Sequence, residues 1–255
     1  MFLNILRVRA RQGYQTMDYP QGAPPALPGR FAGLPSICGT HCGNCPGHCI
    51  SACPTEAVDR MDGVPVIDLG RCVFCRECES ACPWASISFG KEWRLSSSTR
   101  QGLLVKGGRE NVPDAMNVRA AAVYGKVFSI RVVSAGGCGA CEADTNVLNT
   151  LAWDLGRFGI HFAASPRHSD GMILIGPVTR NMAAAVCGTH AAIPAPKFVI
   201  AVGACAISGG MYRSGEECTA GKEDIFPVDL FIPGCPPHPL TILDGLLRFL
   251  GKIPV

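Results

Sequence analysis

The sequence predicts an α/β fold, a parallel sheet covered by helices, preceded by a small cysteine-rich α+β domain. Three observations carry this. From residue 126 onward, short β-branched and apolar blocks alternate with helical spacings. Nine cysteines crowd between Cys38 and Cys82, against six spread from Cys138 to Cys235. Charged residues make up 17% and apolar residues 47% of the 255, where an ordinary soluble domain has roughly 25% charged. Core material is therefore ample, and so little charge suits a surface largely covered by partners.

In the second half, residues 126–133, 171–175, 197–202 and 225–232 read as strands. Val147, Leu148, Leu151 and Leu155 place a helix over 143–158, and Leu243, Leu246, Leu247 and Leu250 place a final one over 239–250. Cys138 and Cys141 follow the first strand, Cys205 the third and Cys235 the fourth. Open α/β sheets bind ligands outside the carboxyl ends of their strands, so these four cysteines are expected to converge. Between the halves, residues 91–131 hold eight Lys/Arg and three Asp/Glu, with Gly107-Gly108, Pro113 and a serine run at Ser96–Ser98. They divide the chain into 1–93 (arm and cysteine-rich domain), 94–125 (connector) and 126–255 (α/β domain).

The first half repeats itself. Cys53-Pro-Thr-Glu-Ala-Val and Cys82-Pro-Trp-Ala-Ser-Ile share one form, each is preceded by three close cysteines, and GVPVID at 63–68 between them reads as a strand. Cys72-x2-Cys75-x2-Cys78-x3-Cys82-Pro83 has the bacterial ferredoxin spacing, in which three thiolates hold one cubane and the fourth reaches the other cluster of a pair. The earlier run, Cys42-x2-Cys45-x3-Cys49-x3-Cys53-Pro54, is one residue longer. Cross-ligation gives one cluster on Cys42, Cys45, Cys49 and Cys82 and another on Cys53, Cys72, Cys75 and Cys78, with Cys38 as the alternative to Cys42. Zinc is the competing reading, but zinc sites want cysteine pairs separated by a loop. His41 and His48 lie inside the first run without ligand spacing.

In the second half, glycines flank cysteines in Gly137-Cys138-Gly139-Ala140-Cys141, Gly203-Ala204-Cys205 and Pro233-Gly234-Cys235-Pro236-Pro237. Such glycines let backbone approach a cluster and give amide donors to its sulfurs. Four thiolates there would hold a third cubane, with a structural zinc as the alternative.

SPRH at 165–168, ILIGPVTRNM at 173–182, GAC at 203–205 and IPGCPPHP at 232–239 closely resemble the small peripheral iron–sulfur subunit of respiratory complex I. That family includes the small subunits of membrane-bound nickel–iron hydrogenases. MDYP at 17–20, FAGLP at 31–35 and KEWRL at 91–95 resemble the two-cluster ferredoxin subunits of formate hydrogenlyase-type complexes. The resemblance implies a flavodoxin-like sheet behind a ferredoxin-like domain, three [4Fe-4S] clusters, and an electron wire to an active centre on a hydrogenase-type large subunit. It also implies other peripheral and membrane subunits of a complex I-like assembly as partners, with a soluble redox carrier or a formate dehydrogenase subunit as a further candidate. Quinone-reducing members carry adjacent cysteines at the first ligand position, whereas Cys138-x2-Cys141 resembles the hydrogenase branch. An equivalent subunit of a hydrogenase-related or quinone-reducing assembly without nickel is the alternative.

Glu142 is a candidate proton relay beside the third cluster, as is Asp144, although acids favour helix N-termini in any case. Cys187 and Cys218 lack ligand spacing and read as a core thiol and a loop thiol, His168 is a candidate interface residue, and His161, His190 and His238 suggest no role. A net charge of +3, little aromatic content and no phosphate-binding glycine loop argue against nucleic acid and nucleotide. The N-terminal apolar run is broken by Arg7 and Arg9, too short for a signal segment. A cytoplasmic subunit is expected, peripheral on the inner face of the membrane through its partners. A freestanding carrier or a zinc-stabilised assembly module are the readings from other classes.

Overall fold

The computed structural model describes residues 2–107, 113–219 and 225–253; Gly108 of the glycine pair lies outside them. The second half is built on a five-stranded parallel sheet. Its strands are β6 (Phe128–Ser134), β7 (Ile160–Phe162), β8 (Gly171–Ile175), β9 (Phe198–Val202) and β10 (Leu230–Ile232), in the order β10-β9-β8-β6-β7. Counted within the sheet this is 2-1-3-4-5, the flavodoxin-like order, whose switch point lies between its first and third strands. β8 and β9 are buried at every position, as central strands covered on both faces must be. The expected flavodoxin-like sheet is therefore present.

Several boundaries differ from the pattern-based expectation. The helix expected over 143–158 is short: α5 spans Ala140–Asn146, and 3-10 turns follow at Val147–Asn149 and Leu155–Phe158. The N-terminal arm explains the break. Met17 N–H bonds to Ala152 O at 3.0 Å and Thr16 Oγ1 to Leu151 O at 2.8 Å, capturing carbonyls that a helix would use itself. The fourth strand contracts from 225–232 to 230–232 because Pro227 has no N–H to give a ladder, and Asp229 caps the edge by accepting from Val199 N–H at 2.8 Å. The periodicity also missed β7 and the helices α6 (Arg180–Ala192) and α7 (Ala204–Ser208).

The first half is assembled from short pieces. β2 (Val58–Met61) and β3 (Val64–Asp68) form a hairpin, and β5 (Leu104–Lys106) pairs with β3 as a third strand. β1 (Pro35–Ile37) pairs with β4 (Ile87–Phe89). The single-turn helices α2 (His48–Ser51) and α3 (Glu77–Ser80) each open on a left-handed residue, Gly47 and Arg76.

The two halves share a core. Ile67, Leu69 and Leu103 join Met172, Leu174, Val199 and Phe231 in one apolar cluster, so the first half packs on one face of the sheet. On the other face the last helix α8 (Pro239–Phe249) is buried along its whole length, because the sheet, the arm and residues Trp93, Ser96, Pro113 and Ala115 surround it. Among these wrappings sits a buried ion pair. Arg248 Nε donates to Asp244 Oδ2 at 2.8 Å, Tyr19 OH donates to Asp244 Oδ1 at 2.8 Å, and the guanidinium also reaches Pro113 O at 2.6 Å. Both charged side chains are at most 1% exposed.

Candidate metal centres

The internal repeat survives as geometry. Ala57 N–H donates to Cys53 Sγ at 3.1 Å, and Ser86 N–H to Cys82 Sγ at 3.3 Å, each four residues on. Two further amides point at sulfur without corresponding in the repeat: Gly47 N–H donates to Cys45 Sγ, the second of its run, at 3.4 Å, and Phe74 N–H to Cys72 Sγ, the first of its run, at 3.3 Å. Cys49 and Cys78 are the buried second residues of α2 and α3. Measured back from the left-handed residue that opens each helix, the extra residue of the first run is Pro46, between Cys45 and Gly47. The Arg60 guanidinium holds that longer loop by donating to Cys45 O at 2.8 Å.

Cys42, Cys45, Cys49 and Cys82 line one small cavity with Arg60, Trp84 and Ile87. Cys38 is not part of its wall: its exposed thiol lies 3.3 Å from Thr40 Oγ1. Burial pushes the Cys49 thiol up, and the neighbouring Cys82 and Cys45 add to the effect. Burial likewise pushes Cys72 up to about 12, opposed by the Phe74 N–H and reinforced by Cys78, Cys53 and Cys75. Cys78 is pushed to about 12 by burial and then by Cys53 and Cys75, with a weaker influence from Cys49 of the other set. The two sets are thus neighbours, and each mixes cysteines from both repeats.

The third set forms at the sheet's switch point. After β6 and β8 the loops touch backbone to backbone: a Cβ on Gly176, itself at φ +91°, would sit 2.6 Å from Gly137 N. Gly203 N–H bonds to Ile232 O at 2.8 Å and Ala204 N–H to Gly234 O at 2.9 Å, which draws the loops of Cys205 and Cys235 together. A Cβ on Gly203 would lie 2.6 Å from Cys141 Sγ, and one on Gly210 would lie 3.0 Å from Cys205 Sγ. These glycines make room for sulfur. Burial pushes Cys141 up to about 12, with added repulsion from Cys205, Cys235, Glu142 and Cys138. Cys205 is pushed to about 11 by burial, by Cys235 and Cys138, and to a smaller degree by Cys218.

Thiols so desolvated and so close to one another do not ionise as a bare set; cationic metal is what makes their thiolates favourable. A zinc ion would draw four sulfurs to about 2.3 Å from one point. Among the described residues no three His, Cys, Asp or Glu side chains close on a single-ion site. Each set offers four cysteine sulfurs, a donor chemistry that fits iron–sulfur cubanes.

Glu142 is tethered by Ser134 Oγ, which donates to Oε1 at 2.5 Å, while Oε2 is buried without a partner. Burial raises the Asp144 carboxyl above its ordinary range. His168 is exposed on the 3-10 turn Pro166–His168, and Cys187, expected as a core thiol, is exposed on α6, whose buried position is its neighbour Val186. His238 caps α8, accepting from Leu240 N–H at 3.1 Å. Cys218 is a loop thiol, as expected, and comes to the edge of the third set, bridged to Thr179. The sequence around Cys218 carries no signal for this, because the loop 209–218 folds back over α7.

Residues 138–249 match the family of the NADH ubiquinone oxidoreductase 20 kDa subunit, and residues 65–88 match the 4Fe-4S binding domain. The chain is 42% identical over 117 residues to the B subunit of NADH-quinone oxidoreductase from Geotalea uraniireducens, covering 46% of this chain and 68% of that one. Among solved structures it is similar to a chain of the membrane-bound sulfane sulfur reductase, an archaeal respiratory membrane complex. Identity there is 35%, the TM-score 0.45, and coverage 50% of this chain and 70% of that one. A chain of NAD+-reducing [NiFe]-hydrogenase aligns at 21% identity with a TM-score of 0.36, covering 46% of this chain and 86% of that one.

Proposed function

Because the chain belongs to the family of the NADH ubiquinone oxidoreductase 20 kDa subunit, we propose that it is the electron-transfer subunit of a membrane-associated nickel–iron hydrogenase complex. The observation that supports this reading is the gathering of twelve cysteines into three tetrads, the third of them at the switch point of the sheet. In this reading Cys42, Cys45, Cys49 and Cys82 hold the first [4Fe-4S] cluster. Cys53, Cys72, Cys75 and Cys78 hold the second, and Cys138, Cys141, Cys205 and Cys235 the third. When bound, each cluster supplies a one-electron carrier whose potential answers to sulfur hydrogen bonds and solvent exposure.

The chain's own residues set those conditions. Amide N–H groups of Gly47, Ala57, Phe74 and Ser86 point at sulfur in the first half. In the second, Gly203 and Gly210 keep the space beside Cys141 and Cys205 clear. Cys138 and Cys235 are exposed, so the third tetrad opens outward toward a hydrogenase-type large subunit that would carry the active centre. No described helix is long and apolar enough to cross a membrane; attachment to the inner face runs through partner subunits. Cys138-x2-Cys141 favours the hydrogenase branch. A quinone-linked assembly is the second reading, favoured by the 42% identity to a subunit of NADH-quinone oxidoreductase.

The test is to purify the native complex through a tag on this chain and measure iron, sulfide, nickel and zinc. The proposal expects about twelve irons per chain, four for each four-cysteine site, with stoichiometric nickel and hydrogen turnover. Full iron without nickel moves the function to the second reading. Zinc in place of iron overturns both.

A further inference from the structure

We infer that Ser208, with Gly70 opposite it, is the positioning contact that couples the second and third thiol tetrads for electron transfer. The inference rests on the three-cluster reading above. Gly70 lies two residues before Cys72, in a loop fixed by its own hydrogen bonds. Gly70 N–H donates to Asp68 Oδ1 at 2.9 Å, Cys72 N–H donates to Asp68 O at 2.9 Å, and the Arg100 guanidinium grips the same carboxylate at 2.7 and 2.5 Å. Ser208 is the last residue of α7, the helix that carries Cys205 in its first turn.

The Ser208 hydroxyl lies 2.8 Å from Gly70 O and 3.1 Å from Ala204 O, the carbonyl that precedes Cys205. One hydroxyl therefore stands between the backbone leading to Cys72 and the backbone leading to Cys205. Approach this close requires glycine. A Cβ at Gly70 would fall 2.7 Å from Ile207 Cγ2 and 3.0 Å from the Arg100 guanidinium carbon.

Two cavities also lie between the loops of the two sets. One cavity of about 300 Å³ is walled by Val73 and Phe74 from the loop of the second tetrad and by Gly234 and Cys235 from the third. Another, also about 300 Å³, lies between Pro54, beside Cys53, and Gly210, beyond Cys205. Gly70 and Ser208 supply a bonded bridge: Cys72, Arg71, the Gly70 carbonyl, the Ser208 hydroxyl, the Ala204 carbonyl, Cys205. In the transfer one electron leaves the centre held by Cys53, Cys72, Cys75 and Cys78, which is oxidised by one. It enters the centre held by Cys138, Cys141, Cys205 and Cys235, which is reduced by one. Ser208 keeps its proton, and no covalent bond forms or breaks.

The experiment uses the intact complex with G70A, S208A and S208T. Iron and sulfide content and the electron paramagnetic resonance of each centre are measured first, on the unsubstituted complex. If the second or third centre is absent there, the three-cluster reading fails independently of this one. The variants are then compared by the magnetic coupling between the two reduced centres and by the rate of electron transfer between them after photoreduction. G70A is expected to weaken the coupling and slow transfer on the order of tenfold, because the added methyl wedges the loops apart. S208A is expected to keep the coupling and slow transfer less, with S208T, which retains the hydroxyl, restoring it. Unchanged transfer in both G70A and S208A would overturn the inference. Should G70A fail to retain iron, S208A against S208T decides it: equal rates reject the bridge, and rescue by threonine supports it.

Discussion

The two halves gather their cysteines by opposite means. In the first, eight of them lie within 41 residues, carried by loops and single-turn helices that rest on the core shared with the sheet. In the second, four cysteines spread from 138 to 235 meet because a buried parallel sheet delivers each to the same edge. One half sets its thiols by spacing along short loops and single turns. The other has a shape that makes room for a cluster. Equal ligand sets therefore do not imply equal dependence on metal.

Stripping iron from the complex with a chelator should break the symmetry most visibly. Proteolysis is expected to open residues 38–90 while the sheet from β6 to β10 stays protected, as seen by mass mapping of the fragments. Equal protection of both halves would erase the distinction. Replacing Arg248 by Ala should cost about 3–5 kcal/mol, the usual penalty for stranding one member of a buried ion pair. Chemical denaturation would register that loss chiefly in the second half, since Asp244 is fully buried on α8 and would lose its cationic partner. The smallest effect concerns His190, which stacks on Phe226 at 4.5 Å between ring centroids. Burial, helped by Lys197, lowers its pKa below the ordinary value. The unfolded chain then binds the proton more readily, so stability is full above about 6.5 and declines as pH falls toward the folded value. Thermal unfolding of H190Q between pH 7.5 and 5.5 should lose that part of the slope, a fraction of a kcal/mol.

Legibility followed the same division. The ferredoxin-type run was readable because its ligands are consecutive and the spacing is itself the geometry. The strand-end cysteines were readable at one remove, through the alternation that implied a parallel sheet. What escaped was set by distant partners. Asp244 and Arg248, four apart on a helix, have the spacing of a solvated surface pair, yet they are sealed by Tyr19 and Pro113. Leu148, Leu151 and Leu155 kept helical spacing although the arm had claimed the carbonyls between them, leaving Leu151 exposed at 68%. The first half's third strand, β5, lies beyond the cysteines in a stretch whose composition reads as a linker.

The hydrogen bond from Tyr19 to Asp244 joins residues 225 positions apart. On a ribosome adding roughly 5–20 residues each second, the arm therefore waits on the order of ten to fifty seconds for the helix that receives it. For the later part of that interval, once Cys82 has emerged, the thiols of the first half are complete while the helix that receives the arm has not been made. Biosynthesis accordingly leaves an interval in which metal can be delivered to the first half before the last helix docks on the opposite face of the sheet and fixes the arm.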